Sequence, residues 1–372
     1  MSATKASSKI TGLLREEWFL ALSVFTVVIF SLKGRSLFAD LPDPVGFTLI
    51  FVWLFAVVLG SCLHVVRHAD GLAEIVGEPY GTLILTLSVT AIEVASISAV
   101  MLDGASNHPT LVRDTLFSVV MVILGGMAGF SLLVGGWRHR EQTHNLQGAN
   151  AYLGVIIPLA VLTLTLPNFT VTTAGATLSP PQQLFVTLMC LGLYAAFLAI
   201  QTGRHRDYFA TKAALGRPRS GGDSWLRHGM FLLAYMLPIA FLAEELAHPI
   251  DYMIETLHMP DALGGVVIAV IVATPEAVGA VRAALANQLQ QAVNIFLGSV
   301  LSTIGLTVPV MLAISRFTGR AVYLGLSGGN DVLLLLTLAV SVVTFSSGRT
   351  NILQGAVHVV LFGAFLLLMF QA

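Results

Sequence analysis

Charge is scarce in this sequence. Lys, Arg, Asp and Glu make up 10% of its 372 residues, against 56% hydrophobic ones. A soluble chain carries about 25% charged residues, so an ordinary soluble domain is excluded. Long apolar runs between short polar turns point instead to an all-α polytopic membrane protein, because a helix satisfies its own backbone groups in lipid. In such a chain the net charge of −1 says nothing about nucleic acid; membrane lipid is the expected surrounding, and no nucleic-acid partner is expected. Cysteine is nearly absent. Cys62 and Cys190 both lie in apolar runs and read as small core residues, not as a disulfide or a metal pair. No small-residue cleavage site follows the first apolar run, so no cleavable signal peptide is expected. No nucleophile–base set or paired Asp-rich motif is apparent, which argues against an intramembrane enzyme.

A span needs about 20 mostly apolar residues. Eleven segments qualify: 17–33, 44–66, 80–102, 115–136, 148–166, 182–202, 229–247, 263–286, 291–315, 331–346 and 352–370. Turn-rich pieces separate them, among them Asp40-Leu-Pro-Asp-Pro44, Ser179-Pro-Pro181 and Ser346-Ser-Gly348. With the N-terminus inside, fourteen Lys and Arg fall on inner segments and five on outer ones. Inside-positive is the rule, so the N-terminus reads as cytoplasmic. Residues 1–43 then hold a cytoplasmic N-terminus and one extra helix. Residues 44–202 form a first unit, 203–228 a basic cytoplasmic linker and 229–372 a second unit.

The two units share a signature. Gly81 to Met101 is a membrane-length stretch whose one charge is Glu93, and Gly264 to Ala280 again holds one acid, Glu276. In each, the Glu follows a Gly by twelve residues. A second likeness is Leu146-Gln-Gly-Ala149 against Leu353-Gln-Gly-Ala356, each preceded by an Asn. From these two anchors spans two to six are expected to match seven to eleven. Five is odd, so the copies would enter the membrane from opposite sides. That is an inverted repeat of two five-helix units, a common transporter architecture with its substrate at the midplane.

Glu93 and Glu276 each stand about 13 residues into their spans, near mid-bilayer from opposite sides at about 1.5 Å per residue. Two close carboxylates in low dielectric cannot both stay charged without a counter-charge. They must bind protons or a cation, and that exclusive choice is the physical basis of antiport. Hard cations want oxygen ligands, and Ser88, Thr90 and Thr274 supply hydroxyls nearby. Pro275 lacks an N–H, which frees the Ile271 carbonyl. Asn294 and Ser299 in the ninth span are further pathway candidates, with Ser302 and Thr303 ranked behind them. Ser118, Gly125, Gly126 and Gly129 in the fourth read more as helix-packing residues. Asp70 with Glu74, and Glu244 with Glu245, form a second acidic layer that either draws cations toward each mouth or is ordinary interfacial charge. His64, His68, His248 and His358 read as packing or interfacial histidines rather than pH sensors.

The stretch Gly77-Glu-Pro-Tyr-Gly-Thr-Leu-Ile-Leu-Thr-Leu-Ser-Val-Thr-Ala-Ile-Glu93 resembles the Ca²⁺:cation antiporter superfamily. So do Arg138-His-Arg-Glu-Gln-Thr-His-Asn-Leu-Gln-Gly148 and Ala273-Thr-Pro-Glu276. The likeness is to its cation/proton exchanger branch, in particular the bacterial calcium/sodium/potassium–proton antiporters of the ChaA type, and it runs through nearly all of 44–370. It implies the two-repeat fold in a bacterial inner membrane, with Ca²⁺, Na⁺, K⁺ and H⁺ as transported ions and no resident cofactor. It also implies that Glu93 and Glu276 are the carboxylates that carry cation and proton, with Asp70 and Glu244 or Glu245 at the acids ahead of each motif. The family pattern has Gly-Asn just before each Glu, where this chain has Val89-Thr90 and Val272-Ala273. Losing those carboxamides argues against a tight Ca²⁺ site and for broader use of Na⁺ or K⁺. A cation channel without proton coupling is the remaining alternative, although no filter-like loop is present. Oligomeric state is not legible in the sequence.

Overall fold

The computed structural model describes residues 16–39, 44–76, 80–102, 109–173, 175–210, 225–260, 262–326 and 328–371. Its helices are α1 Trp18–Ala39, α2 Pro44–Val76 and α3 Tyr80–Leu102. Then follow α4 Leu111–His139, α5 Leu146–Phe169, α6 Pro180–Arg204, α7 Trp225–Glu255 and α8 Leu263–Leu285. The last are α9 Leu289–Thr318, α10 Gly328–Phe345 and α11 Ile352–Gln371. Among the described residues nine are long and apolar enough to cross a membrane, and α1 and α3 contribute shorter apolar stretches. Nine and two give the eleven expected from the sequence, and the chain is an all-α polytopic membrane protein.

Local chemistry sets the helix ends. Ser179 and Gln182 form a capping box ahead of α6, followed by two prolines at its start. Asn145 caps α5, its side chain accepting from the Gly148 N–H at 3.0 Å. The α9 helix stops at Gly319, whose φ of 73° lies in the left-handed region that favours glycine.

Each helix crosses once, so helix ends sort onto two faces. On the face where α1 begins, the chain just ahead of α1 meets the end of α2 and the start of α7 through Glu17, His68 and His228. On the same face β1 (Glu141–Thr143) pairs antiparallel with β2 (Arg349–Asn351), Gln142 opposite Thr350. The opposite face is tied by Arg113 to the Gly325 carbonyl at 3.1 Å and by Asn168 to Asp331 at 2.6 Å.

The strand pair corrects one expectation. It brings the Leu146-Gln-Gly-Ala149 and Leu353-Gln-Gly-Ala356 segments to the same face, directly after β1 and β2. Equivalent points of an inverted repeat must lie on opposite faces, and they open α5 and α11 rather than α5 and α10. That likeness therefore belongs to a shared helix start after a strand, not to the repeat. The Gly…Glu likeness behaves differently: α3 starts on the α1 face and α8 on the opposite one.

The core centres on α9, 89% buried over its apolar stretch against 22% for the peripheral α6. Helices α2 and α7, 33 and 31 residues long, pack along each other, with α1 against both. Close approach of α8 to α4 depends on Gly265, where a Cβ would lie 2.7 Å from the backbone of Asp114 and Thr115. Gly125 and Gly129 of α4 serve α11 in the same way, against Phe362 and Val359.

Candidate ion site

Glu93 of α3 is fully buried, and Glu276 of α8 is 2% exposed. Both side chains reach α9. Thr303 Oγ1 donates to Glu93 Oε2 at 2.6 Å, and Thr307 Oγ1 donates to Glu93 Oε1 at 3.4 Å. Ser299 Oγ donates to Glu276 Oε2 at 2.5 Å. Positions 299, 303 and 307 are spaced by four, so one face of α9 carries all three hydroxyls. Four residues rise about 6 Å, so the carboxylates sit on adjacent turns of the same helix. Thr303–Thr307 is a π-helical turn, a widening often found at functional sites.

Thr90 binds α3 to α9 beside this cluster. Its hydroxyl lies 2.8 Å from Ser302 Oγ and 2.9 Å from the Thr86 carbonyl. Among the described residues neither Glu93 nor Glu276 makes an ion pair. Two buried carboxylates with hydroxyl donors and no cationic side chain require a proton or a bound cation to balance charge. The donors are all oxygens, which suits hard cations rather than soft ones. Among the described residues no group of three His, Cys, Asp or Glu converges as a metal cage, so the charge on offer is that of two carboxylates.

The remaining sequence candidates lie elsewhere. Ser88 donates to the Ile84 carbonyl and Thr274 to the Val270 carbonyl, within their own helices. Asn294 accepts from Gln290 and donates to the Phe209 carbonyl at 2.6 Å, holding the segment after α6. Asp70 is exposed on α2. Glu244 and Glu245 are half-buried on α7, and a Cβ at Gly34 would lie 3.1 Å from Glu245 Oε2, so Glu245 faces α1. The side chain of Glu74 lies outside the described residues. His64 stacks between Phe19 and Tyr235, and His248 packs on Phe38. His358 meets the Thr344 hydroxyl at 3.0 Å. Cys62 and Cys190 are buried free thiols.

Sequence reasoning passed over Thr307 and treated Thr303 as secondary. The four-residue spacing with Ser299 was the available signal. It also passed over Glu17, which is buried just ahead of α1 against His68 and Tyr235.

The family model described as sodium/calcium exchanger protein matches residues 46–203 and 228–371. The sodium-potassium/proton antiporter ChaA of Escherichia coli (strain K12) is 37% identical over 364 residues, 95% of this chain and 96% of that one. A putative ionic transporter, y4hA, of Sinorhizobium fredii is 42% identical over 312 residues, 83% of this chain and 85% of that one. The solved structure of native YfkE superposes with a TM-score of 0.73 at 20% identity, covering 95% of this chain and 99% of that one. Outside the family match fall the residues before 46, α1 among them, and a short break at 204–227 between the two matched blocks. The chain belongs to the sodium/calcium exchanger protein family.

Proposed function

We propose that this protein is a secondary cation/proton antiporter of a bacterial inner membrane, its N-terminus cytoplasmic. It exports Na⁺ or K⁺, and Ca²⁺, against inward-moving protons. One observation carries the reading: Glu93 and Glu276 converge on adjacent turns of α9 with no cationic partner. Their oxygens hold either protons or a cation, and never stay charged and empty. The hydroxyls of Ser299, Thr303 and Thr307 complete the oxygen set for the cation and hold each carboxylate in place between rounds.

The opposed directions of α3 and α8 support two inverted units, residues 44–202 and 229–372, joined by the basic linker 203–228. Relative movement of these units would expose the carboxylates to one side and then the other. The name of the Escherichia coli relative, a sodium-potassium/proton antiporter, favours monovalent cargo. So does the chemistry here: Ala273 offers no side-chain oxygen, and Thr90 already bonds Ser302. Ca²⁺ remains within reach of two carboxylates.

The test uses purified protein in liposomes with an acidic interior and a trapped pH dye. Adding Na⁺, K⁺ or Ca²⁺ outside is expected to alkalinise the interior. Glu93→Gln and Glu276→Gln should each abolish that signal and leave a folded protein, because a carboxamide neither takes up a proton nor balances a cation. Cation conductance without proton movement would make the protein a channel instead. Exchange at parental rates in both variants would remove the carboxylates from the mechanism.

A further inference from the structure

The end of α5 is irregular. A π-helical turn, Val161–Thr165, passes directly into a 3-10 turn, Leu166–Phe169. Pro167 has no N–H to give the Thr163 carbonyl four residues earlier. At membrane depth such backbone is tolerated where protein buries it or where it lines a polar site. Residues 322–326 run beside it, with the Leu326 N–H donating to the Leu164 carbonyl at 2.8 Å. Helix α10 opens just beyond.

Asp331 is the fourth residue of α10 and is only 9% exposed. Asn168 Nδ2 donates to the Leu326 carbonyl at 2.5 Å and to Asp331 Oδ2 at 2.6 Å. A Cβ at Gly325 would strike Asn168 Oδ1, so glycine there lets the amide lie this way. The other carboxylate oxygen, Asp331 Oδ1, is shut off from solvent and makes no hydrogen bond. Thr165, 7% exposed, stands beside the same carboxylate, yet its Oγ1 is likewise buried and unbonded. Thr163, on the same helix, donates to the Leu159 carbonyl at 2.6 Å, the usual resting place for a helical hydroxyl.

Charge is left open at this corner. Among the described residues Asp331 makes no ion pair. Arg113, on the same face, is taken by Asp114 at 2.8 Å and by the Gly325 carbonyl at 3.1 Å. The start of α10 favours a negative charge, but a buried carboxylate still requires a cation or a full set of donors. Two buried oxygens from different helices, close together and both unbonded, point to a ligand that binds oxygens.

We infer that this corner binds a monovalent cation, Na⁺ or K⁺, held by Asp331 Oδ1 and Thr165 Oγ1, and that the cation clasps the end of α5 to the start of α10 on the face opposite α1. Oxygen donors alone select a hard cation, and one carboxylate balances one charge rather than two. None of these residues lies on α3, α8 or α9, so the site is separate from Glu93 and Glu276 and does not depend on their role.

The experiment reads binding and stability rather than transport. A Glu93→Gln, Glu276→Gln double variant, purified in detergent, removes the other buried carboxylates. Radioactive Na⁺ and Rb⁺, the latter standing in for K⁺, are equilibrated with it. Saturable binding of one of them is expected to persist, and to weaken at least several-fold when Asp331→Asn or Thr165→Val is added. The same cation should raise the melting temperature over that in choline chloride at equal ionic strength, because a ligand of the folded state alone stabilises it. Asp331→Asn should remove most of that rise. Should the double variant fail to fold, the parent against Asp331→Asn and Thr165→Val carries the melting comparison. No saturable binding in the double variant, or binding and melting indifferent to Asp331→Asn, would leave only a buried water or a proton at this corner and overturn the site. Radioactive Ca²⁺ bound in preference to both would overturn the monovalent assignment. Proton exchange enters neither readout, so a protein that exchanges nothing would lose the antiporter reading and keep this site.

Discussion

Ser299 and Thr303, four residues apart on α9, each hold one carboxylate: Ser299 donates to Glu276 at 2.5 Å and Thr303 to Glu93 at 2.6 Å. One helix thus fixes two groups that come from α3 and α8, and a shift of α9 along its axis would be felt by both. A hydrogen bond to a charged group contributes about 1.5–3 kcal/mol, and about 1.4 kcal/mol is tenfold in affinity. Ser299→Ala and Thr303→Val are each expected to raise the cation concentration for half-maximal exchange by roughly tenfold to a hundredfold. The amount of folded protein should stay near the parental level. Proteoliposome exchange under a fixed pH gradient measures this. Unchanged half-saturation in both variants would mean that α9 merely packs against the carboxylates.

Much of this arrangement is legible in the residues, and the reason is specific. Membrane helices announce themselves by length and apolarity, so eleven were countable. A buried charge is expensive in lipid, so Glu93 and Glu276 stood out. Hydroxyls carry no such signal. Ser88, Thr90, Thr274, Ser299, Thr303 and Thr307 look alike in a run of apolar residues, and only packing decides which reach a carboxylate. Ser88 and Thr274 turn back on their own helices, whereas Ser299 and Thr303 point across. The Leu-Gln-Gly-Ala likeness misled for a related reason: a helix start after a β-strand asks for similar residues wherever it occurs. Glu17 escaped because an acid at the very start of a first span looks interfacial until α2 and α7 fold over it.

Glu17 fastens α1 to the α2–α7 pair. Its side chain is 4% exposed and takes the Tyr235 hydroxyl at 3.2 Å and His68 Nε2 at 3.3 Å. Arg67 and Arg227 stand 3.8 and 4.0 Å away. Truncation removes an acceptor from several buried donors, and each unsatisfied group costs about 1–3 kcal/mol. Glu17→Ala should therefore melt several degrees below the parent in a thermal-shift assay in detergent. Glu17→Gln, which keeps an acceptor oxygen, should fall between. Exchange should persist in both, because Glu17 is not among the groups on α9 that hold the carboxylates. An unaltered melting point for Glu17→Ala would show that α1 is held by its apolar face alone.

The contact of α8 with α4 links packing to function through a single glycine. A Cβ at Gly265 would lie 2.7 Å from the carbonyl carbon of Asp114 and from the Thr115 nitrogen, and neither backbone atom can swing aside. Gly265→Val should push α8 off α4, with overpacking of about 1–3 kcal/mol or more. Since α8 carries Glu276, the displacement should also disturb its bond to Ser299. Loss of thermal stability and of exchange together is the expected result. The neighbouring Gly264→Ala serves as the contrast: its Cβ would meet the Ile250 Cγ2 at 3.4 Å and the Leu111 Cδ1 at 3.8 Å, both ordinary side-chain contacts, and should be tolerated. Parental behaviour of Gly265→Val would show that the two helices separate readily.

His144 gives the fold a pH dependence of its own. It lies between β1 and α5, outside the spans, and its Nε2–H donates to the Phe345 carbonyl at 3.1 Å. Burial pushes its pKa below the ordinary value of 6.5, only partly offset by that hydrogen bond. The folded state thus holds His144 neutral where the unfolded chain would begin to protonate it. The unfolded state binds more protons in this window, so stability rises with pH. The contribution is complete above about pH 6.5 and is lost as pH falls from there through the lowered value of the folded state. Melting temperatures of parent and His144→Asn at pH 7.5 and 5.5 test this. The parent should lose more on acidification than the variant does, and the variant should be less stable at pH 7.5, having lost the bond that ties the start of α5 to the end of α10. Equal acid sensitivity of the two proteins would move the pH dependence to other groups.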